Sequence, residues 1–266
     1  MLKETLYENK IYINRNLVKI KLLDEKFCFS FDEDIKIKKY WEGKVNKNPK
    51  LFNGPIFNIK SISNNNHLIN IDMNISNYAH YSYMLDNKIY DNNICKAIAV
   101  GGLIVTNDNT IVLGKMNDNT SFPNIIQCIG GGIDKQDIID GFIDPIQTLK
   151  REFKEEIGID LENDEIEVSR NYITTRKFWS LFGICYIVNL NMDSQELYNS
   201  FEKFRSSSKQ DEIKELVFIK NDTQSIINFC KQNTNKIDYL EKLLLIVDNS
   251  IKLEVFAESF GEGKIF

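Results

Sequence analysis

Residues 149–160 read LKREFKEEIGID, with three glutamates and an arginine inside six positions and a glycine just beyond. Like charges three or four residues apart share one side of a helix and repel by a few tenths of a kcal/mol. A helix built this way carries either a diffuse solvated face or a site for a cation. The flanks favour an ordered helix. Asp144, Pro145 and Gln147 stand as N-cap, N1 and N3, a capping-box signature, and Gly158 is placed to stop the helix after Ile157. At 100° per residue, Ile146, Leu149, Phe153 and Ile157 fall in an apolar stripe about 80° wide. Glu152, Glu155 and Glu156 sit together beside that stripe.

Three carboxylates at the rim of a packed stripe make an oxygen-rich site, the kind that Mg²⁺ or Mn²⁺ takes. Arg151 is placed to pair with a neighbouring carboxylate and fix its orientation. Upstream, Gly130, Gly131 and Gly132 end a short apolar strand, where a bare backbone lets carbonyls or amides approach a metal or phosphate. Taken alone, an EFKEE string is most often only a solvated face.

The surroundings change that reading. Residues 151–159, REFKEEIGI, match in every fixed position the Arg-Glu-apolar-x-Glu-Glu-x-Gly-apolar core of the Nudix box. The triple glycine and Asp134 resemble the glycine-rich start of that box. The chain thus resembles the Nudix hydrolases over roughly residues 95–225, with AVGGLIVTNDNTIVLGK similar to their first hairpin. The resemblance implies an α/β (α+β) fold, an α/β/α sandwich around a mixed sheet, that hydrolyses a diphosphate linked to another group with Mg²⁺ or Mn²⁺. It implies Glu152, Glu155 and Glu156 as metal ligands, assisted by a backbone carbonyl at Gly130 or Gly131. Arg151 would orient Glu152 or Glu155. The base for the attacking water would be Glu152, Glu212 or Glu215, the last two in the DEIKELVFI segment. Two departures stand out. DKQDIIDGFID lengthens the interval between Gly130 and Arg151, and Ile143 occupies the position eight before Arg151 where the family usually has a glutamate. Asp144 or Asp140 is the candidate substitute. Ile129 replaces a frequent proline.

The N-terminal part has its own pattern. YENKIYINRN, VKIKLL, FCFSF and HLINIDMNI alternate as strands, a helix is expected from about Asp34 to Lys47, and Asn53-Gly54-Pro55 reads as a turn. A boundary near residue 94 divides a β-rich substrate-recognition region, 1–93, from a Nudix domain with C-terminal helix, 94–266. The string from Trp41 through Asn48-Pro49 to Phe52-Asn53-Gly54-Pro55 resembles the lead-in of a Nudix subgroup acting on UDP-sugars, and Tyr78, His80 and Tyr81 stand where that subgroup is rich in threonine and tyrosine. On this resemblance Asn53, Tyr78 and Gly130 are substrate-binding candidates, and Tyr78, Tyr81, Phe178 or Trp179 an aromatic platform for a base. The plainer reading makes Asn53-Gly54-Pro55 a turn packed by Trp41 and Phe52, and His80 a packed histidine.

Composition narrows the classes. The chain has 266 residues, 42% hydrophobic and 27% charged, with a net charge of −5. That balance disfavours nucleic acid and membrane surfaces, which call for a basic face. No run reaches the length of a membrane helix and the N-terminus shows no apolar leader, so a cytoplasmic protein is expected. Five dispersed cysteines with no CxxC pair point to free thiols rather than zinc or disulfides. The expected activity is cleavage of a nucleotide-linked diphosphate, UDP-sugar first, to nucleoside monophosphate and sugar phosphate. The alternative is a catalytically weak nucleotide-sugar sensor on the same fold.

Overall fold

The structure, a computed structural model, describes residues 10–65, 67–89, 95–120, 122–162, 166–176, 180–208, 211–247, 259 and 263–265. In chain order its elements are β1 Lys10–Asn14, β2 Leu17–Lys26, α1 Phe31–Lys47, β3 Pro55–Asn65, β4 Leu68–Asn77, α2 Tyr78–Asp86, β5 Ala97–Thr106 and β6 Thr110–Met116. Then come β7 Ile126–Gln127, β8 Ile129–Gly132, β9 Ile138–Ile139, β10 Phe142–Ile143, α3 Pro145–Ile157, β11 Ile166–Thr175 and β12 Leu181–Leu190. The chain continues through α4 Ser194–Ser207, β13 Ile213–Lys220, α5 Thr223–Gln232, α6 Leu240–Val247 and β14 Gly263–Lys264.

One mixed sheet runs β1-β11-β12-β5-β3-β4-β2-β10-β9, with β6, β7, β8, β13 and β14 branching from it. The β12–β5 and β2–β4 pairs are parallel and the other ladders antiparallel. Alternation along the central strands creates two apolar faces. On one, Ile98, Val100, Ile184 and Val188 meet Leu149 and Phe153 of α3 and Leu197 and Phe201 of α4. On the other, Leu103, Leu113 and Ile187 meet Ile226 and Phe229 of α5 and Leu240, Leu243 and Leu244 of α6. Helices therefore cover both faces of the sheet, as an α/β/α arrangement requires. The N-terminal residues are hydrogen-bonded into the same sheet through β1 on β11 and β3 on β5. Because only Arg15 and Asn16 separate β1 from β2, the sheet curls back on itself without closing.

Several local expectations are corrected. FCFSF is not a strand: Ser30 and Glu33 form a reciprocal capping box, so α1 starts at Phe31 rather than Asp34. Pro55 does not end a turn but opens β3, whose partner is β4, and α2 follows β4 directly. The inserted DKQDIIDGFID is a short 3₁₀ turn and a hairpin, with Asp140 and Gly141 both at positive φ as a two-residue type I′ connection. This hairpin pairs with β2, placing Ile143 opposite Ile20 in the core. The final residues are more than a tail, since β14 pairs with β3 and Ile265 is buried.

Helix α3 matches its expected bounds, although Asp144 accepts from the amide of Ile146 rather than of Gln147. At its end Gly158 adopts φ 72°, and a Cβ there would lie 2.5 Å from the Phe204 ring. Gly158→Ala is therefore expected to cost about 2–4 kcal/mol from left-handed strain plus overpacking. A urea titration reporting less than about 0.5 kcal/mol, the usual range for inconsequential surface changes, would contradict this account.

Candidate active site

Helix α3 lies across β8 and β5, so its glutamates arrive at the glycine-rich strand. Gly130, Gly131 and Gly132 pair with Gly101, Val100 and Ala99 of β5. At Gly131 a Cβ would fall 2.5 Å from Oε1 of Glu152, so only a bare backbone lets that carboxylate lie flat on the strand. Glu156, one turn later, accepts a hydrogen bond of 2.9 Å from the Gly130 amide. Both carboxyls are withdrawn from water, at 8% exposure for Glu152 and 3% for Glu156. Glu155 differs. Its side chain is 53% exposed and accepts from Arg151 Nη1 at 3.0 Å.

Arg151 organises the rest. Its Nε and Nη2 donate to the two oxygens of Asp137 at 2.9 and 3.0 Å, a bidentate fork. Nη2 also donates to the Gly132 carbonyl at 2.9 Å, and Nη1 reaches Glu152 Oε1 at 2.8 Å. The two orienting roles expected for Arg151, toward Glu152 and toward Glu155, are thus filled together. Asp137 further accepts from Thr148 Oγ1 and the Asp134 amide. Burial works against its charge, yet the hydrogen bonds from Arg151 hold the Asp137 carboxyl below its ordinary value.

Sequence reasoning missed Asp137. It proposed Asp144 or Asp140 for the absent box glutamate, but Asp144 caps α3 and Asp140 sits in the hairpin turn. The carboxylate that pairs with Arg151 is Asp137, inside the insertion, and its signal was the Asp134-x-x-Asp137 spacing, which forms a capping box of its own.

The acidic pair is electrostatically loaded. Burial pushes the Glu152 carboxyl up to about 7, opposed by Arg151 and reinforced by Glu212 and Glu155. Burial also raises Glu156 well above its usual value, with Glu152 and Glu212 adding to the effect and the Gly130 amide opposing it. Glu212, the residue before β13, lines the same cavity as Glu156. Glu215 does not join them: it pairs with Lys115 at 2.7 Å on the β6–β13 ladder.

A cavity of about 340 Å³ opens from Gly130, Gly131, Glu156 and Glu212, and Arg176 and Tyr239 stand in its wall. Arg176, unremarked in the sequence, is held by Asp238 at 3.2 Å. Cys128 and Cys185 lie in the same wall with their free thiols 3.7 Å apart. The N-terminal candidates are distributed differently. Asn53 accepts from the Ala79 amide at 2.8 Å and lines a separate hollow with Trp41 and His80. Tyr78 packs edge-on against Trp41 and lines a groove that also contains Glu212. Tyr81 is buried in the wall of the Gly130 cavity. Phe178 and Trp179 lie outside the described residues.

Among the described residues no three His, Cys, Asp or Glu side chains are placed to hold one metal ion, so the expected set of Glu152, Glu155 and Glu156 does not converge. Two carboxylates suffice for Mg²⁺, which usually takes one or two and completes its shell with water and substrate phosphates. Buried Glu152 and Glu156, repelling each other beside Glu212, are such a donor set. No described helix is long and apolar enough to cross a membrane.

No family model matches the chain, and neither does any curated protein. Solved structures do match in part. A MutT protein from Methanosarcina mazei Go1 aligns at 15% identity and TM-score 0.37, over 58% of this chain and 94% of that one. A NUDIX hydrolase from Nitrosomonas europaea aligns at 12% and 0.38, over 61% and 95%. The NUDIX domain of Shewanella oneidensis NrtR, solved with ADP ribose, aligns at 14% and 0.38, over 64% and 98%. At these values the chemistry has to be read from the chain's own residues.

Two outcomes test this geometry. Removing the Asp137 carboxylate by Asp137→Ala leaves Arg151 with a half-met charge and should lower stability by about 3 kcal/mol, measured by urea unfolding. A carboxyl raised in the folded state stabilises the protein while protonated. For Glu152 that contribution is complete below its unfolded value of 4.5 and fades as pH rises through about 7. Chelator-treated protein should then melt lower at about pH 8 than at about pH 5, and Glu152→Gln should flatten the slope. An unchanged slope in that variant would show that other groups govern it.

Proposed function

We propose that the chain is a Nudix-type pyrophosphohydrolase acting on a nucleotide-linked diphosphate, with a UDP-sugar as the favoured substrate. The observation that carries this reading is the pair of buried glutamates on α3, facing the glycine strand and backed by the Arg151–Asp137 fork. Two buried carboxylates that raise each other's proton affinity are a costly arrangement unless a cation is expected beside them.

Glu152 and Glu156 would hold Mg²⁺ or Mn²⁺, assisted by a backbone carbonyl at Gly130 or Gly131, with the exposed Glu155 beside them. When bound, the cation neutralises the diphosphate oxygens and lowers the barrier to attack by water. The chain supplies the remainder. Arg151 fixes the rotamer of Glu152, so that carboxylate meets a substrate already oriented. Glu212, the acid that lines the same cavity, is the favoured base and would take the proton of the attacking water. The cavity wall excludes bulk solvent from the apolar half of the ligand. Asp137 gives Arg151 a carboxylate partner, which supports hydrolysis over a sensor role. Residues 1–93 would serve recognition, through Tyr78 in the groove beside Glu212.

The test is incubation with Mg²⁺ and a panel of UDP-glucose, ADP-ribose, dinucleoside polyphosphates and nucleoside triphosphates, with products separated by chromatography. UMP and sugar phosphate should appear from UDP-glucose, and Glu156→Gln should reduce kcat about 10²-fold or more. Release of nucleotide from another panel member would retain the hydrolase and remove the UDP-sugar assignment. Turnover of nothing on the panel would sink the reading.

A further inference from the structure

A second hollow adjoins the first. A more open groove of about 530 Å³ shares Glu212, Thr120 and Ile56 with the Gly130 cavity, so the two meet at these residues. Their chemistry is unlike. The Gly130 cavity is walled by strand backbone and apolar side chains, and its charged groups beyond the acids reduce to Arg176. The groove carries Asn48, Lys50, Asn119 and Asp211 around the ring of Phe52.

We infer that the groove of Asn48, Lys50, Phe52, Asn119 and Asp211 receives the polyhydroxylated half of a nucleoside diphosphate sugar, while the Gly130 cavity takes the base. This inference rests on the hydrolase reading of the preceding subsection and adds the division of the ligand between two subsites. Sugar hydroxyls both donate and accept, so they need donors and acceptors side by side. The groove provides both. Asp211 already accepts from Asn117 at 2.9 Å and from Asn119, and its carboxylate retains lone pairs for two further donors. Asn119 donates to Asp211 through its side-chain NH₂, which leaves its carbonyl oxygen to accept. Asn48 accepts from the Lys50 amide at 3.2 Å through its oxygen, which leaves its NH₂ to donate.

Lys50 is exposed and has no carboxylate partner among the described residues, although the groove floor holds Asp211 and Glu212. An ammonium there supplies three donors for the sugar hydroxyls, beside the acceptor oxygens of Asp211. Phe52 is 79% exposed, a large aromatic left in water at the groove edge. A sugar ring has one apolar C–H face, and such an aromatic covers it. The apolar cavity, by contrast, offers a flat ligand few partners, as a planar base requires. Glu212, shared by both hollows, falls at the junction, where the diphosphate would lie.

The test compares two ligands that the chain cannot cleave, the methylene-bridged analogues of UDP-glucose and of UDP, by calorimetry with Mg²⁺ on the full chain. Binding is read without turnover, so an inactive protein still gives an answer here, and a failed activity assay is distinguishable from a failed subsite. The sugar-bearing analogue should bind more tightly than the sugarless one. Lys50→Ala and Asp211→Ala should each weaken the sugar-bearing analogue about 10-fold and bring it toward the sugarless one, the loss of one charged hydrogen bond. The Lys50 side chain is exposed and pairs with no carboxylate among the described residues, so its variant keeps the test valid if Asp211→Ala fails to fold. Equal losses for both analogues, no loss for either, or no binding of either by the unmodified chain would each overturn the inference.

Discussion

The Arg151 guanidinium is the interaction on which the site depends. It sits at 14% side-chain exposure between Asp137, Glu152, Glu155 and the Gly132 carbonyl, so a single cation ties the 3₁₀ turn, the glycine strand and the glutamate helix together. A fork of this kind fixes direction as well as distance, which a lysine would not. Its own proton is held more tightly than usual despite burial, because carboxylates surround it. Arg151 opposes the rise of both Glu152 and Glu156, and the Gly130 amide adds to this at Glu156. Burial still favours the neutral form of each, and a cation brought beside them would favour the charged form.

The fold holds these carboxyls in place. Phe153 and Leu149 anchor α3 on one face of the central strands, so the glutamates beside them have little freedom to relax away from the glycine strand. Glycine pairing on β5 and β8 brings backbone, rather than side chains, to the carboxylates. Helices on the opposite face, through Leu240 and Leu243, back the same strands, and Ile237 and Tyr239 just before the last helix line the cavity. Acid, wall and floor therefore come from segments far apart in the chain, held by one sheet.

Legibility in the sequence followed locality. The glutamate helix, its cap residue, its apolar stripe and its glycine stop were all readable, because each signal lies within a few residues of its effect. The same holds for β5 and β12, whose apolar runs are long. Asp137 was not readable as the partner of Arg151, since the pairing spans an insertion whose Asp-Gly hairpin brings its two ends together. FCFSF was misread because alternation of aromatics outweighed a Ser-x-x-Glu cap beginning inside it. β3 was lost behind Asn53-Gly54-Pro55, where a strong turn signal hid the strand that follows. Separating Glu212 from Glu215 needed the β6–β13 register, which no single-strand pattern contains.

The curled sheet has a consequence for how the chain is made. In β1, Ile11 pairs with Thr174 of β11, so this pairing waits until β11 has been made, far along the chain. Until then Ile11 and Tyr12, both buried in the finished protein, stay in water on an open strand edge. Pairing across so long a separation is slow, because loop closure must precede any gain from contact. The interval between emergence of β1 and capture by β11 is when a nascent chain is most exposed to strand-to-strand association with its neighbours.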